Sequence, residues 1–241
     1  MARLTTGAAM VSLVLSMSPV TLAGTWDEVG DAPAWPADPS WQSTDGFGPL
    51  TAITGVTSLA LGDLVDAYGI TITDAVDFYA TTSALTDPNG TASFDTRLWL
   101  FNVDGTPVLG NDDAPGDASL HSLLTAPQNY PGTVAPTANG IMLTPGKYVL
   151  IIGGFGIDPE DANNIDMVGP FLVGSFEDLH GPNPPAGPFD HWENFGSEQT
   201  GTYTIALNGA TFIVPAPGVG TLVVLGFTGF LGRRRRRQVF A

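Results

Sequence analysis

The chain has 241 residues, with 24 Asp and Glu against 8 Lys and Arg, a formal net charge of −16, 43% apolar residues and no cysteine. Such an acidic chain repels nucleic acid and attracts cations, so nucleic acid is excluded as a partner. The lack of cysteine excludes disulfide staples, thiol catalysis and thiolate-bound zinc.

From the N-terminus, Arg3 supplies a minimal positive region, Ala8–Met17 an apolar stretch and Thr21-Leu22-Ala23 a small-residue cleavage site. Together these predict a signal peptide over residues 1–23 and export of the rest of the chain. Residues 24–49 are rich in Pro, Asp, Gly and Trp and carry no periodicity, which predicts an irregular leader laid over the domain. Trp26, Trp35 and Trp41 crowd it. They suit packing, because burying an indole is strongly favourable. Exposed, Trp35 and Trp41 would instead stack on sugar rings as the glycan contacts of a secreted carbohydrate-binding module.

Beyond the leader, short β-type runs dominate. Tyr68–Thr73 and Val76–Thr82 alternate with period two; Arg97–Val103 and Lys147–Ile152 are apolar on both faces; Thr202–Leu207 ends the set. Turn residues punctuate them at Asp87-Pro88-Asn89-Gly90, Asp104-Gly105, Thr144-Pro145-Gly146 and Asn208-Gly209. No run before the tail reads as a helix of ten or more residues. The pattern predicts an all-β domain over residues 50–213, an antiparallel β-sandwich. Residues 156–199 interrupt it as a long Pro/Asn/Asp-rich loop, with one edge strand expected at Phe171–Phe176.

The charge is partitioned along the chain. All 24 carboxylates lie between Asp27 and Glu198, a span whose only basic residues are Arg97 and Lys147, for a net of −22. Asp95 and Asp104 stand at opposite ends of one strand, roughly 30 Å apart at about 3.3 Å per residue. If Asp104-Gly105 is a hairpin tip, the returning chain brings Asn111, Asp112 and Asp113 beside Asp95, with Asp117 close in sequence. Hard oxygen ligands in that number suit Ca²⁺. The same residues equally suit Asx turns, whose carboxylates accept backbone N–H bonds. Asp161-Ala162-Asn163-Asn164-Ile165-Asp166 offers a second oxygen-rich stretch. His180 and His191, each flanked by carboxylates, are the residues a metal-dependent hydrolase would use, at a spacing that matches no zinc motif. His121 is isolated, and no nucleophile elbow, P-loop or dinucleotide fingerprint occurs.

Gly62-Asp63 to Thr73-Asp74, Phe94–Phe101, Asn111-Asp112-Asp113 and Leu143–Tyr148 resemble the landmarks of bacterial pre-peptidase C-terminal-like (PPC-like) domains. The resemblance runs from about Trp26 to Thr211 and implies a compact jelly-roll-like sandwich on a secreted protein. Some relatives bind calcium, which supports Asp95, Asp112 and Asp113 as ligands.

The last 28 residues have three parts: Val214-Pro215-Ala216-Pro217-Gly218, an apolar run of 14 residues from Val219 to Gly232, and Arg233, Arg234, Arg235, Arg236 and Arg237. The run is shorter than the ~20 residues of a comfortable membrane helix. Five arginines behind it fit a stop-transfer signal at the inner membrane. This layout resembles the PEP-CTERM sorting signal of envelope proteins, with Ala216 where the name-giving glutamate stands. The resemblance implies a single short transmembrane helix over a transient anchor, and an exosortase-type partner acting at Val214–Gly218. The whole reads as an exported, non-catalytic surface or matrix protein, associating with extracellular polysaccharide or with other envelope components.

Overall fold

The computed structural model describes residues 24–36, 40–171, 175–194 and 199–215. The expected signal peptide, Ala216, Pro217 and Gly218 of the sorting motif, the apolar run and Arg233–Arg237 lie outside the described residues.

The leader carries strands β1 (Gly24–Asp27), β2 (Gln42–Ser43) and β3 (Asp45–Gly46). Then come β4 (Leu50–Val56), β5 (Val65–Ile72), β6 (Tyr79–Thr81), β7 (Thr91–Ala92), β8 (Thr96–Asn102), β9 (Pro107–Asn111), β10 (Leu123–Thr125) and β11 (Gly146–Gly154). β12 (Ile157–Asp161) and β13 (Phe189–Asn194) belong to the long excursion, followed by β14 (Thr202–Asn208), β15 (Ala210–Phe212) and β16 (Val214–Pro215). Among the described residues there is no α-helix, and the protein is all-β as its patterning predicts.

One open sheet runs β1-β4-β14-β6-β10 with β7 beside β14; the other runs β15-β5-β11-β8-β9 with β2 beside β5. Most pairs are antiparallel, but β1–β4, β2–β5 and β3–β16 are parallel. The leader is therefore irregular only in part: neighbouring strands impose extended pairing on three short segments whose own sequence shows no alternation.

Both sheets contribute to one buried cluster. Leu50, Ile53, Ile205 and Leu207 come from the first, and Tyr68, Ile70, Leu98, Leu100, Leu150 and Ile152 from the second. Alternation then turns Trp99, Phe101, Val149 and Ile151 to the opposite face of the second sheet. That face is covered too, by Trp35 of the leader and by Ile157, Met167 and Val168 of the excursion. This second cover is why β8 and β11 read as apolar on both faces.

The excursion accordingly departs from the expected loop. β12 and β13 pair antiparallel, and Gly110 of β9 exchanges backbone bonds with His180 at 2.9 Å in both directions. Phe171, Ser175 and Phe176 are not in strand, and the rest of the expected edge strand, 172–174, lies outside the described residues. Val76–Thr82 also shortens to Tyr79–Thr81, because Asp74 Oδ1 accepts the Val76 and Asp77 N–H groups at 3.2 and 3.1 Å and makes a turn there.

β14 passes to β15, and so from one sheet to the other, at Asn208-Gly209. Gly209 has φ of 72°, and a Cβ there would press on the backbone of Asp74 and Phe78. Gly209→Ala is expected to cost roughly 2–3 kcal/mol in a denaturant titration, from left-handed strain plus overpacking. A loss within error of zero would refute that account.

Candidate metal centre

The β8–β9 hairpin turns at Asp104-Gly105, with Leu98 opposite Asn111. Asp104 Oδ1 accepts Thr106 Oγ1 at 2.7 Å and Thr106 N at 3.0 Å, and these bonds hold its carboxyl below the usual range. At the other end Asp95, Asp112 and Asp113 converge, with carboxylate oxygens within 4.8 Å of one another. Strand spacing alone predicted that meeting.

This cluster already has a cation inside it. Arg97 Nε and Nη2 donate to Asp112 Oδ1 and Oδ2, both at 2.9 Å, and Nη1 donates to Asp158 Oδ2 at 2.5 Å. The guanidinium carbon lies 5.0 Å from the ring centroids of both Phe155 and Phe171. Both oxygens of Asp112 are thus engaged. Asn111 does not join the cluster: its Nδ2 donates to the carbonyls of Asp113 and Asp178 and to Tyr130 Oη, and its Oδ1 accepts Leu123 N. The amide ties β9 to β10 and to the excursion. Burial, with Asp112 and Asp113 adding to it, pushes the Asp95 carboxyl up to about 7. Burial likewise raises Asp113 to about 6 and Asp158 to about 7, in the latter case against the pull of Arg97. Asp117 sits elsewhere, accepting Ser83 Oγ and Ser119 N, with His121 Nδ1 at 3.9 Å.

A second acidic group was not singled out from sequence. Glu28 and Asp31, just after β1, meet Asp66 of β5 with oxygens within 4.8 Å, and the Asp63 carboxyl contacts those of Asp31 and Asp66. Glu28 Oε1 accepts Ala32 N at 2.9 Å and Oε2 accepts Val56 N at 2.8 Å, which fixes the leader against β4. Asp66 shares the inward face of β5 with Tyr68 and is fully buried. Tyr203 Oη donates to its Oδ2 at 2.5 Å, so the Tyr68 hydroxyl donates to Tyr203 at 2.6 Å. Its Oδ1 is buried with no hydrogen-bond partner. Burial, then the neighbouring carboxylates, push Asp66 up to about 9 and Asp63 to about 7. Among the described residues no Lys or Arg contacts this group, unlike the one around Arg97. Its sequence signal is the i, i+3 spacing of Glu28/Asp31 and of Asp63/Asp66, together with a carboxylate on the inward face of an otherwise apolar strand.

The remaining expected residues are dispersed. Asp161 Oδ1 accepts Asn163 N and Ile165 N, and Oδ2 accepts Gly187 N, so it organises the turn after β12. His180 is buried against Phe171 with Nε2 3.1 Å from the Ser175 carbonyl, and burial lowers its pKa. His191 stands on β13 with different partners, Asp190 and Glu160. Trp35 is only 6% exposed and packs edge-on against Trp41 and Phe101 at 5.7 and 5.9 Å, which leaves it little free ring face. Trp41 is half-buried. Val214 and Pro215 of the sorting motif pair in parallel with Asp45 and Gly46. No protein-family model, curated protein or solved structure matches the chain.

Proposed function

We propose that the protein is an exported, non-catalytic β-sandwich of jelly-roll type, a surface or matrix component whose leader is locked onto the domain by calcium once outside the cell. The observation that carries this reading is the group Glu28, Asp31, Asp63 and Asp66: four carboxylates, no cationic side chain in contact among the described residues, and a fully buried Asp66 oxygen without a partner. Buried carboxylates in such a group need either protons or a metal. Four acidic side chains can supply much of the six to eight oxygens Ca²⁺ takes, and extracellular modules bind it with a Kd of roughly 10⁻⁴–10⁻³ M. The ligands come from two segments, 28–31 and 63–66, so one ion would hold the leader to β4 and β5. The site around Asp95, Asp112 and Asp113 is the weaker candidate, because Arg97 already neutralises it.

Export rests on the signal-peptide pattern. Residues 214–241 complete the reading: exosortase-type machinery acts at Val214–Gly218 while the apolar run and Arg233–Arg237 hold the chain briefly at the inner membrane. The released, strongly acidic surface then associates with polysaccharide or other envelope components through bridging cations.

The test is thermal unfolding of the full chain with and without calcium at low salt. A ligand at a hundred times its Kd adds about 2.7 kcal/mol, and the midpoint should rise by roughly 5–10 °C in a domain of this size. Asp66→Asn should abolish most of that rise, whereas Asp113→Asn should leave it in place. An unchanged midpoint in wild-type protein would refute the calcium reading. A rise lost in Asp113→Asn instead would move the site to the hairpin.

A further inference from the structure

β12 and β13 put Glu160 opposite His191 and Asp158 opposite Glu193, and a backbone bridge brings Asp166 to Glu160. Alternation places Asp158, Glu160, His191 and Glu193 on one face of this hairpin. Oxygens of Glu160, Asp166 and Glu193 lie within 4.8 Å of one another. Asp158 is neutralised by Arg97, while among the described residues the other three have no Lys or Arg bonded to them.

Two observations beyond the acidic cluster point to a ligand. Glu160 is only 3% exposed and its Oε2 has no hydrogen-bond partner. His191 Nε2 stands 3.4 Å from it, out of hydrogen-bonding geometry. On its other side the imidazole meets Asp190, with Nδ1 3.2 Å from Oδ2. A ring that donates Nδ1–H to a carboxylate presents Nε2 as a lone pair, the arrangement by which carboxylates orient metal-binding histidines. The lone pair and the unpartnered Glu160 oxygen then face each other across a gap that only a proton or a cation can fill. Imidazole nitrogen beside carboxylate oxygens suits divalent transition metals, zinc among them, while calcium takes oxygen alone.

We propose that His191, Glu160, Glu193 and Asp166 form a binding site for a divalent transition-metal ion, with Asp190 orienting the histidine. The ion clips β12 to β13 and so fastens the excursion, through Phe189 and Trp192, over the outer face of the second sheet. Trp192 packs 5.3 Å from the buried Trp99 ring, so the clip bears directly on that core. The site is independent of the calcium group by residues and by preferred ion.

The experiment is calorimetric titration of metal-stripped full-length protein with zinc chloride, repeated on His191→Gln and Asp66→Asn. His191 is partly exposed, so its replacement leaves the fold intact. One zinc per chain is expected. Losing an outer-shell partner of a metal typically costs ~10–100-fold in affinity, so losing the ligand itself in His191→Gln should cost at least about tenfold. Asp66→Asn should bind zinc as the wild type does. Absence of stoichiometric zinc overturns the proposal in favour of carboxyls that share a proton. Undiminished binding by His191→Gln, or binding lost in Asp66→Asn, overturns it in favour of zinc held elsewhere.

Discussion

Arg97→Ala is expected to destabilise the protein by about 3–5 kcal/mol, the cost of leaving buried charge without its partner. Arg97 is 3% exposed and Asp112 1%, so water cannot replace the lost bonds. The substitution removes three charge-assisted hydrogen bonds, leaves Asp112 and Asp158 facing each other, and opens the space between Phe155 and Phe171. Arg97→Lys should recover only part of the loss, since an ammonium cannot form the bidentate pair with Asp112 and reach Asp158 at once. Urea unfolding of the two variants checks this. A loss below about 1 kcal/mol for Arg97→Ala, the range of an exposed pair, would show that the guanidinium is not a structural centre.

Without calcium, stability is expected to fall as pH rises from 5 to 8. The carboxyls of Asp63 and Asp95 are raised to about 7, Asp66 to about 9 and Asp113 to about 6, from an ordinary 3.8. Between the ordinary and the raised values the folded chain holds more protons than the unfolded one. The stabilisation is therefore complete below the unfolded pKa and is lost as pH climbs through the folded values. Asp87, Asp104 and Asp161 are shifted the other way, and their contribution disappears only on acidification below the ordinary range, outside this window. His180, lowered by burial, opposes the fall inside the window, but it is one group against four raised carboxyls. A drop in melting temperature on the order of 5–10 °C is expected at low salt, given roughly 2–4 °C per kcal/mol at this size. Calcium should flatten the profile by taking the place of the protons on Asp63 and Asp66. A melting temperature that is level or rising between pH 5 and 8 in chelator would rule the account out.

Local chemistry made much of this molecule readable in advance. β8, β11 and β14 follow from apolar and β-branched runs bounded by turn residues, and the Asp104-Gly105 tip follows from its own side-chain bonds to Thr106. Once that tip is placed, the antiparallel return of Asn111–Asp113 toward Asp95 is a matter of counting residues. These features depend on contacts within some ten to twenty residues, and such contacts are written in the order of the chain. All-β class and the acidic character of the surface are legible for the same reason.

What each carboxylate does was decided only by contacts between distant segments. Asp112 reads as an ion ligand until Arg97 bonds it together with Asp158, which is 61 residues from that arginine. Asn111 reads as a companion ligand until its amide proves to join β9 to β10 and the excursion. Glu28 and Asp31 look like solvated leader residues, and become one group with Asp63 and Asp66 only because β1 lies parallel on β4. The leader strands and the β12–β13 hairpin were hidden similarly: β1, β2 and β3 are held extended by the distant strands β4, β5 and β16, and the β12–β13 hairpin by packing on the outer face of the second sheet. A sequence records which side chains carry charge. Which charges are removed from water, and beside what, is settled by the packing of the sheets and their covers.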